Sequence, residues 1–226
     1  MSCVAIIVAA GRGRRMGFDK LLAPLAGKSV LQWSLDAFLA ADSVTSIVVV
    51  TDEERFASLQ FSDQKPVLRI DGGQERYLSV VAGCHAAPKS TYAAIHDGAR
   101  PLIRPEQIEA CIDAARDSGA ATLARPVTET LKKASPDGFT RSSVSRENLW
   151  YMETPQVFRM LTLTRAYDTV LSRRLPVTDD VSAAEAIGIP TKLVSNPHPN
   201  PKITHPADLP LAESILRSRL AEEADA

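Results

Sequence analysis

The residues most able to do chemistry lie in segment 11–20, which combines three glycines with the cations Arg12, Arg14, Arg15 and Lys20. A glycine-rich turn lets backbone N–H groups approach an anion closely. Fixed cations aimed at a polyphosphate are a major source of rate in phosphoryl and nucleotidyl transfer. Because this segment, here called the glycine turn, directly follows an apolar run, it predicts a nucleoside triphosphate site rather than a solvated basic loop.

Two established phosphate motifs fail on spacing in the glycine turn. The dinucleotide fingerprint G-x-G-x-x-G is narrower than the pattern of Gly11, Gly13 and Gly17. Its ribose-binding acid is expected about 20 residues further on, and the nearest acid at a strand end, Asp52, lies well beyond that distance. A Walker loop requires a glycine upstream of its Gly-Lys-Ser, at the position that Leu22 occupies. This spacing disfavours a nicotinamide-dependent oxidoreductase.

A second loop, residues 71–79, follows another apolar run. Its Gly73 permits close approach of a ligand. Arg76 is able to bind a phosphate or to cap a helix, and Ser79 is able to hydrogen-bond a base or to cap the helix that follows. Taken alone, this loop indicates a structural role as readily as a functional one.

A third loop, residues 96–101, contains an acid and a base close together. Asp97 is suited to hold a hydroxyl group or a magnesium ion. Arg100 is suited to clamp a phosphate with two hydrogen bonds. A plain Asp97–Arg100 salt bridge is an equal alternative, since paired charges are common. The remaining candidates are individually weak, and they are Thr130, Lys132, Arg146, Thr154 and Lys202.

Strands and helices alternate through much of the chain, and this pattern predicts the frame that holds the three loops. The predicted strands are the apolar or β-branched runs 4–10, 46–50, 67–70, 92–95 and 192–194. Helices are predicted from Ser29, whose spacing to Gln32 indicates a capping box, and over 77–87 and 207–222. The alternation favours an α/β fold, a doubly wound, mostly parallel, Rossmann-like sheet with helices on both faces. The carboxyl edge of that sheet would hold all three loops.

Residues 128–152 break the alternation. They are polar and β-branched, and Asp137-Gly138 suits the turn of a hairpin, so we interpret them as an extended β-arm. A two-stranded arm is marginal alone and exposes unpaired edges. It is therefore predicted to pack against a second subunit and to form a homodimer. Residues 1–226 are expected to form a single domain.

The composition argues against several classes of protein. The 226 residues carry 26 Lys and Arg against 27 Asp and Glu, a formal net charge of −1, which disfavours nucleic acid or an acidic membrane as a partner. The longest apolar stretches are far shorter than the ~20 residues of a membrane-spanning helix. Scattered cysteines favour free thiols in a reducing cytoplasm over a disulfide framework or a zinc site, and they are Cys3, Cys84 and Cys111.

Taken in order, the motifs resemble the 2-C-methyl-D-erythritol 4-phosphate cytidylyltransferases, a family of nucleotidyltransferases in the non-mevalonate isoprenoid pathway. Single motifs are shared with other sugar-phosphate nucleotidyltransferases, whereas the ordered set is specific and spans nearly the whole chain. The matching segments are 9–16, 71–80, 96–101, 127–132, 146–150, 154–156, 178–179 and 202–204.

The resemblance implies attack of the acceptor's phosphate group on the α-phosphorus of CTP, with Mg²⁺ bridging the phosphates and pyrophosphate leaving. It implies catalytic roles for Arg15, Lys20 and Lys202. It places the nucleotide against Ala9, Ala10, Gly11, Gly13, Gly73, Arg76 and Ser79. It places the acceptor against Asp97, Arg100 and Thr154, with Thr130 and Arg146 reaching from the arm across a dimer. Magnesium is expected mainly on the CTP phosphates, with Asp97 as a possible further ligand.

The acceptor is the least constrained part of this resemblance. The sequence departs from the family pattern at Gln74, at Met152 and Glu153, and at residues 197–201. The last two stretches adjoin the expected acceptor site, so ribitol 5-phosphate stays open as an alternative acceptor for the same chemistry. A nicotinamide-dependent oxidoreductase and a non-catalytic nucleotide-binding protein are the alternatives from other functional classes.

Overall fold

A computed structural model describes residues 1–11, 16–87 and 89–224. Its strands are β1 (Cys3–Val8), β2 (Pro24–Leu25), β3 (Lys28–Ser29), β4 (Val44–Val50), β5 (Val67–Ile70), β6 (Tyr92–Asp97), β7 (Ala120–Pro126), β8 (Leu131–Ala134), β9 (Thr140–Val144), β10 (Trp150–Arg159) and β11 (Lys192–Ser195). Its helices are α1 (Val30–Ala40), α2 (Glu53–Ala57), α3 (Arg76–Ala86), α4 (Pro105–Ser118), α5 (Met160–Arg173), α6 (Asp180–Glu185) and α7 (Asp208–Ala224).

A seven-stranded sheet runs through the described chain in the order β11-β7-β10-β6-β1-β4-β5. β1 pairs in parallel with β4 and β6, β4 with β5, and β11 with β7. Only β10 of this sheet runs antiparallel, between β6 and β7. The mostly parallel sheet confirms the fold class that the alternating pattern predicted.

β1 shows why the apolar run near the N-terminus forms a central strand. Its alternate side chains enter two separate cores: Ala5 and Ile7 face the core with α1, α4 and α7, while Val4 and Ile6 face the core with α3, α5 and α6. All four are fully buried, so neither face of β1 meets water. Burying one large apolar side chain contributes about 1.5–3 kcal/mol, which makes a continuous apolar run favourable only in such a two-faced position.

Most predicted elements are present, with one local correction at the start of α1. The strand predicted at 67–70 is β5, and the helix predicted over 77–87 is α3 shifted by one residue. The Ser29 hydroxyl accepts the Gln32 N–H at 3.1 Å, as an N-cap should. The predicted capping box is wrong in its second half, because the side-chain oxygen of Gln32 accepts the Gln60 N–H at 2.8 Å instead of the Ser29 N–H.

The sequence did not predict strand β10, which enters the sheet between β6 and β7. Its central residues Glu153, Thr154, Pro155 and Gln156 form no apolar run, so the period-two signal is lost there. The pairing with β7 is irregular between Met152 and Gln156, and a proline without an N–H is accommodated at such an irregularity. Long-range pairing, not local pattern, makes this segment a strand.

The predicted hairpin is present as the antiparallel pair β8 and β9, outside the central sheet. Gly138 at its turn has a φ of +88°, a conformation that glycine adopts without steric cost. The tip carries Phe139, which is 71 % exposed. The hairpin thus offers an apolar residue and free strand edges, and its predicted contact with a second subunit stays a prediction.

Two further findings concern the membrane and the cysteines. Across the ranges given above, no helix combines the length and the apolar character needed to cross a membrane. Cys3, Cys84 and Cys111 are free thiols, and Cys3 and Cys111 are buried in the core.

Gly83 of α3 packs tightly against the sheet, and this contact generates a stability prediction. A Cβ at this position would lie 2.5 Å from Cγ2 of Ile6 and 3.3 Å from Cγ2 of Val50. We expect Gly83→Ala to lower the free energy of unfolding by about 1–2 kcal/mol, although alanine favours helices by ~1 kcal/mol over glycine. Urea unfolding followed by circular dichroism measures the change. An increase in stability, as at an exposed helical glycine, would contradict this packing.

Candidate active site

A cleft of about 330 Å³ opens at the carboxyl edge of the sheet, where β6 ends. The parallel register sets Val8 of β1 beside Asp97 of β6, so the glycine turn and the third loop leave the sheet side by side. Residues from five separate stretches of sequence line the cleft: Arg76, Asp97, Arg100, Met152, Glu153, Thr154, Gln156, Thr178, Asp179 and Lys202.

The carboxylate of Asp97 is the centre of charge in the cleft. Its Oδ1 accepts a hydrogen bond from Nε of Arg76 at 2.8 Å, and its Oδ2 accepts one from Nζ of Lys202 at 2.8 Å. Nε of Arg100 lies farther away, 3.9 Å from Oδ2. Burial opposes the charge, yet the adjacent Arg76, Lys202 and Arg100 cations hold the pKa of Asp97 well below its usual range. Asp97 is therefore an ionised, cation-paired carboxylate.

Arg76 connects Asp97 to a second, deeper carboxylate. Its Nη2 donates to Asp180 at 2.9 Å, and Asp180 is fully buried. Asp180 also accepts a hydrogen bond from the Tyr167 hydroxyl, and its own N–H donates to the side-chain oxygen of Gln156 at 3.0 Å. Burial alone would lower the pKa of Arg76, but Asp180 and Asp97 raise it above its usual range. The predicted nucleotide residue Arg76 thus stands as a fixed cation beside the predicted acceptor residues.

Arg100 holds the cleft wall together. Its Nη1 donates to the carbonyl of Asn200 at 2.7 Å, and its Nη2 lies 3.4 Å from the carbonyl of Met152. Asn200 in turn donates to Thr154 O at 3.0 Å and to Oε2 of Glu153 at 3.3 Å. The sequence offered two equal roles for Arg100, a phosphate clamp and a salt bridge. The structure adds a third role, because the guanidinium donates hydrogen bonds to the backbone of two neighbouring segments.

Segment 200–203 joins the cleft to the glycine turn. Lys202 reaches Asp97, while the Ile203 N–H donates to the Ala99 carbonyl at 2.8 Å. Nζ of Lys20 donates to the Ile203 carbonyl at 2.6 Å. Of the two lysines predicted to be catalytic, Lys202 thus belongs to this segment and Lys20 binds the carbonyl of the next residue, Ile203. Arg15 and Gly13, also predicted as site residues, lie outside the described residues.

The second loop lies directly on the start of the glycine turn. A Cβ on Gly72 would be 2.1 Å from Cβ of Ala10, so only glycine permits this approach. The Gly73 N–H donates to the Ser79 hydroxyl at 3.1 Å, and the Ala9 N–H donates to the Val50 carbonyl at 2.9 Å. The predicted nucleotide residues Gly73 and Ser79 therefore lie close to Ala10 and its neighbours Ala9 and Gly11, although none of these five described residues lines the cleft itself.

Two predicted site residues lie away from the cleft of their own protomer. Thr130 and Arg146 are exposed on the arm, and neither of these described residues lines the cleft. Arg146 donates to the carbonyl of Thr128 within the arm. Their predicted contact with a substrate would require the arm to reach a second copy of the chain.

The sequence did not single out several polar residues that shape this site. Asp180 is a buried carboxylate beneath the cleft, Glu153 is a buried carboxylate that lines it, and Asn200 and Arg55 bond to the backbone of site segments. From the sequence, Asp179 or Asp180 is a candidate helix cap, and neither Asn200 nor Arg55 belongs to a motif of the predicted site. One signal was available: Glu153 directly precedes Thr154, at a departure from the family pattern.

The cleft does not fit a resident magnesium ion. Among the residues with described positions, no group of three or more His, Cys, Asp or Glu side chains is arranged to hold a metal. Both oxygens of Asp97 accept hydrogen bonds from cations, which compete with any metal for the same lone pairs. A magnesium ion would therefore have to arrive with a phosphate ligand.

Comparisons of the sequence and of the fold with known proteins identify one family. The family IspD, described as 2-C-methyl-D-erythritol 4-phosphate cytidylyltransferase, matches residues 3–218. A protein with that name from Pelotomaculum thermopropionicum is 39% identical, covering 98% of this chain and 97% of its own. The crystal structure of the Francisella tularensis 2-C-methyl-D-erythritol 4-phosphate cytidylyltransferase has a TM-score of 0.83 at 29% identity, covering 95% of this chain and 100% of its own.

His96 lies behind the cleft and generates a pH prediction. Its Nδ1 is 2.9 Å from the Thr154 hydroxyl, which accepts the Asp97 N–H, and its Nε2 is 3.3 Å from the Arg100 carbonyl. This pattern assigns the proton to Nε2 of a neutral ring. Burial lowers the pKa of His96 from 6.5 to about 3. The unfolded chain therefore binds a proton that the folded chain does not, and stability from this group is lost as pH falls below 6.5.

We expect the free energy of unfolding of the wild type to fall relative to that of His96→Asn by about 1.4 kcal/mol per pH unit between pH 6 and 4. Urea unfolding at a series of pH values measures this difference, with His198→Asn, at an exposed histidine, as the control. A difference in the free energy of unfolding between the wild type and His96→Asn that stays constant with pH would contradict the assignment of a neutral, buried ring.

Proposed function

Because the chain belongs to the 2-C-methyl-D-erythritol 4-phosphate cytidylyltransferase family, we propose that it transfers the cytidylyl group of CTP to 2-C-methyl-D-erythritol 4-phosphate. The products are 4-diphosphocytidyl-2-C-methyl-D-erythritol and pyrophosphate, and the reaction belongs to isoprenoid biosynthesis. The observation that carries the proposal is segment 200–203, on which Lys20 from the glycine turn and Asp97 from the cleft converge.

The chemistry requires placement and charge rather than a protein nucleophile. An oxygen of the acceptor's phosphate attacks the α-phosphorus, a new P–O bond forms, and the bond to the β-phosphate breaks with pyrophosphate as leaving group. Nucleophile and leaving group are thus already present in the substrates. The protein contributes by aligning them and by holding cations where negative charge develops.

In this proposal the site residues form three groups, according to the part of the substrates that each group binds. Arg15 and Lys20 stabilise the transferring phosphoryl group. Ala9, Ala10, Gly11, Gly13, Gly73 and Ser79 hold the nucleotide, with Arg76 at the boundary to the acceptor. Asp97, Arg100, Thr154 and Lys202 hold the acceptor, and Lys202 has a side chain 40% exposed toward the cleft.

Asp97 has a second role in this proposal. Since its oxygens already accept bonds from Arg76 and Lys202, it keeps two cations from repelling each other. An arriving phosphate then meets cations in fixed positions. Preorganised charge of this kind needs no rearrangement during the reaction.

The metal, the oligomer and the location are also proposed. Mg²⁺ enters as the counter-ion of CTP, because the described cleft offers no carboxylate cluster for a resident ion. The arm of β8 and β9 forms a homodimer and delivers Thr130 and Arg146 to the partner's cleft. Residues 1–226 form one domain, which the single large sheet from β1 to β11 supports. The cytoplasmic location expected from the cysteine pattern stays a prediction.

A panel of nucleotides and acceptors tests the reaction. The purified wild type is mixed with CTP, ATP, GTP or UTP, each with 2-C-methyl-D-erythritol 4-phosphate or ribitol 5-phosphate, and pyrophosphate release is measured. We expect release only with CTP and the methylerythritol phosphate. Faster release with ribitol 5-phosphate would overturn the acceptor, and release with another nucleotide would overturn the base.

Mixing two inactive variants tests the shared site. Lys20→Ala and Arg146→Ala should each cut turnover by roughly 10²–10³, the scale of losing one preorganised electrostatic donor. In a one-to-one mixture, half of the dimers are mixed and each contains one intact site of two, so about a quarter of the wild-type rate should return. The matched control replaces Arg146→Ala by Arg141→Ala, at another exposed arginine of the arm. No recovery on mixing would show that the arm does not cross.

A further inference from the structure

Arg55 is a buried cation next to the glycine turn that the proposed reaction does not use. It lies in the short helix α2, and only 6% of the residue is exposed. The N-cap Asp52 accepts the Arg55 N–H at 2.9 Å, which anchors the residue in the first turn of the helix. A buried guanidinium is costly unless its charge and its donors are satisfied, so its partners reveal its function.

The guanidinium of Arg55 bonds to both ends of the glycine turn. At the start, Nη1 donates to the Ala9 carbonyl at 2.7 Å and Nη2 to the Gly11 carbonyl at 3.3 Å. At the end, Nε donates to Oδ2 of Asp19 at 2.6 Å. Asp19 directly precedes Lys20. The planar guanidinium of Arg55 thus links the residues at the start of the glycine turn to those at its end.

The two carbonyls lie where the strand ladder has ended. β1 ends at Val8, so the carbonyls of Ala9 and Gly11 are beyond its regular pairing. The Thr51 hydroxyl donates to the Ala9 carbonyl at 3.3 Å, and Arg55 supplies donors to both carbonyls from a fork of fixed geometry. Lysine has a single ammonium group and could not reach these carbonyls and Asp19 together.

Charge balance identifies a further reason for an arginine. Asp19 and Asp52 both pair with the guanidinium, at 2.6 Å and 3.1 Å. These carboxylates would otherwise lie uncompensated beside a turn proposed to bind a triphosphate. The guanidinium neutralises them and so keeps their charge from repelling the nucleotide.

We infer that Arg55 is a positioning residue for the nucleotide half of the site: it fixes the backbone at Ala9 and Gly11 and, through Asp19, the place of Lys20. It acts through these residues and touches neither substrate. The inference rests on the proposed function in one respect, namely that the glycine turn binds CTP.

Kinetics with Arg55→Lys separate positioning from general destabilisation. We expect kcat/KM for CTP to fall about 10²-fold, because small displacements of positioned groups have effects of this size. The KM for the acceptor should stay within about twofold, since the partners of Arg55 in the described part of the chain do not include a residue that lines the cleft. In Arg55→Ala, added guanidinium ion should restore part of the turnover.

Arg69→Lys is the matched control. Arg69 also donates to a carbonyl, that of Thr51 at 3.2 Å, and to a carboxylate, that of Asp71 at 2.6 Å, but its bonds do not include Ala9, Gly11 or Asp19. This variant should keep the wild-type kinetic constants. Thermal unfolding of all variants shows whether a loss of activity follows a loss of fold.

Hydrogen exchange provides a readout without substrate. In unliganded Arg55→Lys, backbone amides of residues 9–11 and 16–21 should exchange about tenfold faster than in the wild type, while those of residues 96–101 should be unchanged. Unchanged exchange in the turn, or equal losses in the constants of both substrates, would overturn the inference. Because exchange needs no reaction, an inactive wild type would count against the proposed function alone.

Discussion

The carboxylate of Asp97 is the interaction on which the cleft depends. It lies at the end of the buried strand β6, and each of its oxygens accepts a hydrogen bond from a different cation. Without it, Arg76, Arg100 and Lys202 would repel one another within the cleft. The carboxylate therefore allows several cations to coexist before any phosphate arrives. The pairing register of β6 with β1 sets the position of the Asp97 carboxylate, so the fold determines where the charges of the cleft lie.

Beneath the cleft, a further ion pair and several hydrogen bonds fix the positions of its walls. Asp180 accepts a hydrogen bond from Nη2 of Arg76. Glu153 accepts one from the side chain of Asn200, and the carbonyl of Asn200 accepts one from Arg100. Buried carboxylates are tolerated only with such partners, because the desolvation of an unpaired ion is severe. The result is a cleft whose cations cannot easily move. For nucleotidyl transfer, where the substrates contain the reacting groups, fixed charge is the main contribution that a protein can make.

Sequence patterns predicted the frame of this site well and its walls poorly. Apolar runs located β1, β4 and β6, because a strand buried on both faces must be largely apolar, and a short apolar run located the edge strand β5. β10 has no such run, since polar residues at its centre face the cleft and bond to other segments. Arg55 was also overlooked, because a lone arginine in an acidic helix normally faces solvent. In both cases the decisive partners lie far away in the sequence.

The sequence by itself determined which functional segments the chain contains. These are a glycine-rich turn with cations, two further polar loops after strands, and a hairpin that does not belong to the sheet. Local spacing and periodicity suffice for these features, because turns and strands depend mostly on neighbouring residues. Only the tertiary structure decided which charges meet. Lys20 reaches Ile203, and Arg76 bridges Asp97 to Asp180, across separations that no local pattern encodes. Side-chain pairing over such distances is set by the packing of the whole sheet.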